Sequence, residues 1–104
     1  MYNKLTDREM ELLFMLSEEA GEIVQAVGKL LRHGAEEGHP DGGPNNRAAL
    51  SKEIGDLIGV VDHMAKNTTL LITDGIADSR YTKMERANRY THHQPTSPAD
   101  GEGY

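Results

Sequence analysis

Cysteine is missing from this chain, which rules out disulfides and thiolate metal sites and leaves the redox compartment undetermined. A surplus of basic residues is missing too, since the net charge is −6. Proteins that bind a nucleic-acid backbone gather Lys and Arg on one face, so a nucleic acid is not the expected partner. No stretch approaches the ~18 apolar residues that span a membrane, and no signal peptide opens the chain. The expectation is a soluble cytoplasmic protein. Apolar residues are also scarce, at 37% of 104 residues. That supply suits one domain with a small core, which a second copy could complete.

What is present is helical. Thr6 is followed three residues later by Glu9, a capping box, with Leu5 and Met10 at the staple positions. Leu12, Leu16, Ile23, Val27 and Leu30 then recur at helical steps, and Leu13, Ala20, Val24 and Leu31 widen the stripe. The spacing predicts a helix to about His33, stopped by Gly34, with a bend near Ser17 or Gly21 left open. Residues 34–46 hold four glycines and two prolines and read as a mobile surface loop. Asn45 or Asn46 caps a second helix with Leu50, Ile54, Leu57, Ile58, Val61, Met64 and Ala65 as its stripe. Gly55 and Gly59 inside it each cost roughly 1 kcal/mol against Ala, a motive for close approach of a backbone or ligand. Asp74 is the expected cap of a third helix to about Tyr90, and residues 91–104 read as a disordered tail. The fold class is all-α: a bundle of three to four helices per chain over residues 1–90.

The chemistry lies in the acids. Glu18, Glu19 and Glu22 fall within about 100° of arc on the first helix, and their i±3 and i±4 neighbours include no Lys or Arg. On the second helix Glu53 and Asp56 share a face, with Lys52 in i,i+4 reach of Asp56. Acidic helix faces are ordinarily solvated. Two of them without matching cations suit a hard dication held by oxygen ligands, and spacing alone does not decide between these readings. A di-iron bundle needs Glu-x-x-His on its helices. The single such string, Glu36 to His39, falls in the loop. His63 follows Asp56 by two turns, but a lone helix histidine is more often structural. The pattern favours magnesium or manganese over iron.

Glu18-Glu19-Ala20-Gly21-Glu22 followed by Glu53-Ile54-Gly55-Asp56-Leu57 is similar to the signature of the MazG-like all-α nucleoside triphosphate pyrophosphohydrolases. That signature is E-E-x-x-E on one helix and E-x-x-D on the next. The resemblance runs from about Leu12 to Val61 and more loosely through the third helix. It implies Glu19, Glu22, Glu53 and Asp56 as ligands of Mg²⁺ (or Mn²⁺), and Glu18 as a further acid assisting metal or water. Glu18 and Glu22 are the candidates for the catalytic carboxylate that handles the attacking water. Lys83, Arg86 and Arg89 resemble the basic residues directed at the triphosphate, against the reading of a solvated basic face that includes Arg80. Lys29 and Lys52 are weaker phosphate candidates. The resemblance also implies a homodimer or homotetramer.

Two departures mark this chain. The loop at 34–46 lengthens the gap between the acidic motifs, and Ala87 stands where relatives selecting deoxycytidine nucleotides carry asparagine. Relatives acting on phosphoribosyl-ATP carry a histidine shortly after the second motif, where this chain has Val60. The expected reaction is water attack on the α-phosphorus of a nucleoside triphosphate, releasing pyrophosphate. The rival readings are a non-catalytic acidic helix pair docking a basic partner, and a pyrophosphohydrolase for a modified nucleotide or phosphoribosyl-ATP.

Overall fold

A computed structural model describes residues 3–38 and 41–94. Three helices account for most of it: α1 (Asp7–His33), α2 (Asn46–Asn67) and α3 (Thr73–Tyr90). The fold is all-α, and among the described residues the other regular feature is one isolated bridge, Gly38 to Asn45. The molecule divides between Leu70 and Leu71 into two compact units, an α1–α2 hairpin and the α3 segment. The tail expected to be disordered lies, from residue 95 onward, outside the described residues.

α1 starts where its capping box places it. The Glu9 N–H donates to Thr6 Oγ1 at 3.1 Å and the Thr6 N–H donates to Glu9 Oε1 at 2.8 Å. Two orphan donors of the first turn are thereby satisfied. The helix then runs 27 residues as one uninterrupted segment through Ser17 and Gly21. It stops at Gly34, whose φ of 87° is open to glycine and costly for other residues. Asn45 is the cap of α2, accepting from the Ala48 N–H at 2.8 Å.

The base of the loop is stitched shut. The Asn46 N–H donates to Glu37 O at 2.8 Å and the Arg47 N–H to Ala35 O at 2.9 Å. Arg47 also pairs with Glu36 at 3.2 Å. α3 departs from expectation at its start. Its cap position is Ile72, which offers no side-chain acceptor, and Asp74 lies in the first turn. There the carboxylate favours the helix by charge near the positive end of the macrodipole rather than by capping.

α1 and α2 are antiparallel. Thr6 and Glu9 lie by Asn67 and Thr69, Leu12 by Val60, Glu22 by Glu53, and Lys29 by Asn46. Between them the buried apolar residues are few: Leu12, Ala26, Val60 and Met64, of which Met64 alone is fully enclosed. Met64 therefore anchors the seam near the open end of the hairpin. We expect Met64→Ala to cost about 2–5 kcal/mol, measured by urea unfolding. A loss below about 1 kcal/mol would show that the seam is not the main source of stability.

Candidate metal centre

Four carboxylates meet across the hairpin. Glu19 and Glu22 from α1 and Glu53 and Asp56 from α2 each offer an oxygen, all within 4.8 Å of one another. The helix period explains the convergence. Glu19 stands seven residues from both Leu12 and Ala26, so it occupies the contact line with α2, and Glu22 follows one turn on. Glu53 stands seven residues before Val60 and so faces back, with Asp56 beside it. All four are half-buried.

Their electrostatics are unbalanced. Oε2 of Glu19 and Oε2 of Glu53 are buried and receive no hydrogen bond. A buried acceptor without a donor is costly, and such groups call for an account. Lys52 supplies part of the missing charge, with Nζ at 2.7 Å from Asp56 Oδ2 and 3.9 Å from Glu53 Oε1. The two carboxylates share that cation and leave Glu19 and Glu22 without one. The Lys52 ammonium is in turn held charged above its ordinary range, by its hydrogen bond to Asp56 first and then by the two acids' charge.

Glu53 responds in the way a crowded carboxylate must. Its pKa is raised, first by a side-chain hydrogen bond with Glu22, then by desolvation and by the Glu22 charge, with Lys52 opposing. Its side chain is 19% exposed, so water relieves it little.

These residues suit a hard cation. The donors are all oxygen, from short carboxylates on two rigid helices, and two buried lone-pair sites lack any other partner. Softer metals would want sulfur or imidazole, and neither is in the cluster.

The other expected site residues fall elsewhere. Glu18 is exposed on α1 and outside the quartet. His63 lines a cavity with Glu19, Asp56, Leu12 and Met15 on one flank, but it is not among the converging ligands. Its Nδ1 lies 3.3 Å from Asn67 Nδ2 instead. Lys29 lines a cavity of about 260 Å³ on the other flank, with Glu22, Gln25, Asn46 and Glu53. This neighbourhood of Gln25 and Asn46 had no motif to announce it. Gly55 and Gly59 meet no close backbone; a Cβ at either would find open space, and both line the cavity beside Glu19 and Asp56.

In the α3 unit, Lys83 and Arg86 line one depression with Ser79 and Thr82. Arg89 stands apart, its guanidinium 5.9 Å from the centre of the Tyr90 ring.

A cation entering the quartet competes with protonation of Glu53, whose pKa is raised. Mn²⁺ binding should therefore tighten, and release fewer protons, as pH rises through the raised pKa of Glu53. Calorimetry in two buffers of different ionisation enthalpy reads this directly. Without metal the sign reverses: the folded chain holds the Glu53 proton more tightly than the unfolded one, so stability falls as pH rises through that range. Equal heats in both buffers at every pH would refute the competition at Glu53.

The MazG nucleotide pyrophosphohydrolase domain matches residues 7–91, nearly the whole described chain. No curated protein and no solved structure matches it. The domain match spans most of the 104 residues, and the chain belongs to the MazG nucleotide pyrophosphohydrolase family.

Proposed function

We propose that this chain is a magnesium-dependent nucleoside triphosphate pyrophosphohydrolase, converting a ribo- or deoxyribonucleoside triphosphate and water to the monophosphate and pyrophosphate. Membership of the family supports a hydrolase of nucleotide phosphoanhydrides that depends on a divalent metal. The observation that carries the finer reading is the quartet, four oxygens within 4.8 Å on two helices, with one buried oxygen on Glu19 and one on Glu53 lacking a donor.

Glu19, Glu22, Glu53 and Asp56 would hold Mg²⁺, with Mn²⁺ as an alternative. When bound, the metal neutralises charge on the phosphates and polarises the phosphorus under attack. The remaining work belongs to the chain. The water oxygen bonds to the α-phosphorus, the bond from that phosphorus to the bridging oxygen breaks, and pyrophosphate leaves. The water's proton passes to a carboxylate. Glu18, exposed and outside the quartet, is free for that role, with Glu22 the second candidate. Lys83, Arg86 and Arg89 would hold the β- and γ-phosphates as charge-assisted donors.

The test is pyrophosphate release from a panel of nucleoside triphosphates with and without Mg²⁺. Glu53→Gln and Asp56→Asn should keep the helical signal and reduce release to background. Turnover retained in both would overturn the site assignment. No release from any nucleotide in the wild type would favour a binding protein or an unusual substrate.

Glu18→Gln separates the roles. It should lower kcat by about 10²–10⁴-fold while leaving Mn²⁺ affinity unchanged. A loss of metal affinity instead would make Glu18 a ligand.

A further inference from the structure

Among the described residues one cation reaches the acid quartet, and α2 itself delivers it. Lys52 precedes Asp56 by four residues and Glu53 by one, so the helix holds its stem beside both acids. Its Nζ lies 2.7 Å from Asp56 Oδ2 and 3.9 Å from Glu53 Oε1. The charge of Glu22, across the hairpin, acts on it after those two. Lys29 lines the neighbouring cavity with Glu22 and Glu53, yet makes no ion pair among the described residues.

The place Lys52 occupies is that of a substitute for another cation. Its side chain is 68% exposed, against 40% for Asp56 and 19% for Glu53, so it approaches the acids from the solvent side. An ammonium is a compact point charge on a flexible four-carbon stem, so it can leave a carboxylate and turn to water. The deeper oxygens gain nothing from it: Oε2 of Glu19 and Oε2 of Glu53 stay buried without a donor. One positive charge at the rim thus offsets part of the repulsion and leaves the inner oxygens to a second cation. The two cations then oppose each other. Repulsion between a single and a double charge ~6 Å apart is worth about tenfold in an equilibrium constant even at the dielectric constant of water.

We infer that Lys52 is a tethered counter-cation, which stands at the rim of the quartet until a divalent ion enters and which sets how weakly the free chain holds that ion. Without metal, the ammonium keeps the α2 acids tolerable beside those of α1. With metal, it gives up Asp56 and faces solvent. Lys52 is therefore a positioning residue, acting through Asp56 and Glu53, and no ligand itself. A loosely held ion suits magnesium, which ordinarily keeps several waters and gains substrate phosphates as ligands. The rim cation leaves the tight state to the charge those phosphates add. This inference rests on the metal reading of the quartet and adds to it a residue that works against the ion.

The experiment is calorimetric titration of Mn²⁺ alone into the full chain at low ionic strength, with thermal melts before and after the metal. Lys52→Gln should bind Mn²⁺ about three- to tenfold more tightly than the wild type. The gain should shrink as added salt screens the charges. Lys52→Ala, a second neutral variant and one that favours the helix, should do the same. Lys52→Arg keeps the charge and should keep the weaker affinity. Without metal both neutral variants should melt below the wild type, and saturating Mn²⁺ should close that gap, because the dication then supplies what the lysine did. Equal Mn²⁺ affinity in the wild type and the neutral variants would refute the counter-cation and leave the metal site standing. Weaker binding in them would also refute it, making Lys52 a support for the ligands rather than their competitor. No Mn²⁺ binding by any of the chains would remove the metal reading itself, and this inference with it.

Discussion

Four carboxylates held against one another by two helices are the constraint on which the rest of this structure depends. Placing Glu19, Glu22, Glu53 and Asp56 within 4.8 Å is unfavourable by Coulomb's law unless something positive enters. The chain reduces the conflict with what it has. Lys52 bridges the two α2 acids, and Glu53 beside Glu22 takes a raised pKa that favours its neutral form. Both devices are partial. Lys52 is largely exposed, so its pairing is worth little in water, and Glu19 gains nothing from it. An arrangement that relieves only part of its own repulsion persists when the relief comes from a ligand, and a stability deficit at such a spot is common where function demands it.

The same constraint explains the thin core. By helical period, Glu19 belongs to the row of Leu12 and Ala26, and Glu53 to the row of Val60. Had these two positions been Leu, the hairpin would have a continuous apolar seam. Acids at the centre of the contact line split the buried residues into a group near Met64 and a lone Ala26 beyond the quartet. Apolar surface remains outside the seam, where Val24, Leu31 and Ile58 are exposed.

α1 and α2 were readable in the sequence because both have local causes: the Thr6–Glu9 box, Gly34 with its positive φ, and the Asn45 cap. α3 lacked such a cause, and its start was placed at Asp74, two residues past the Ile72 cap position. The quartet was legible from spacing and from the family motif together. Spacing gave two acidic faces, and the motif named the four residues that converge. Two things were beyond reach. The wide apolar stripe on α1 read as one face, although the structure divides it between the α2 contact and an uncovered side. A stripe's width is visible in a single helix, but its division depends on where the neighbouring helix lies. The flanking cavities were hidden for the same reason, since Lys29 and Asn46 are 17 residues apart and meet only once the hairpin closes.

Gly55 and Gly59 show how the two sides of the hairpin are kept distinct. Each weakens α2 by roughly 1 kcal/mol relative to Ala, and neither is required by its backbone, because space is open above both. They lie beside Glu19, Asp56 and His63, on the acid side. Larger residues there would strengthen the helix and also fill the cavity next to the carboxylates. Small residues thus leave room beside the carboxylates, whereas Ile54, Ile58 and Val61 on the opposite side are bulky and apolar. Helix propensity is given up on one side and apolar solubility on the other. Both losses follow from using two helices for what a larger domain would distribute among many.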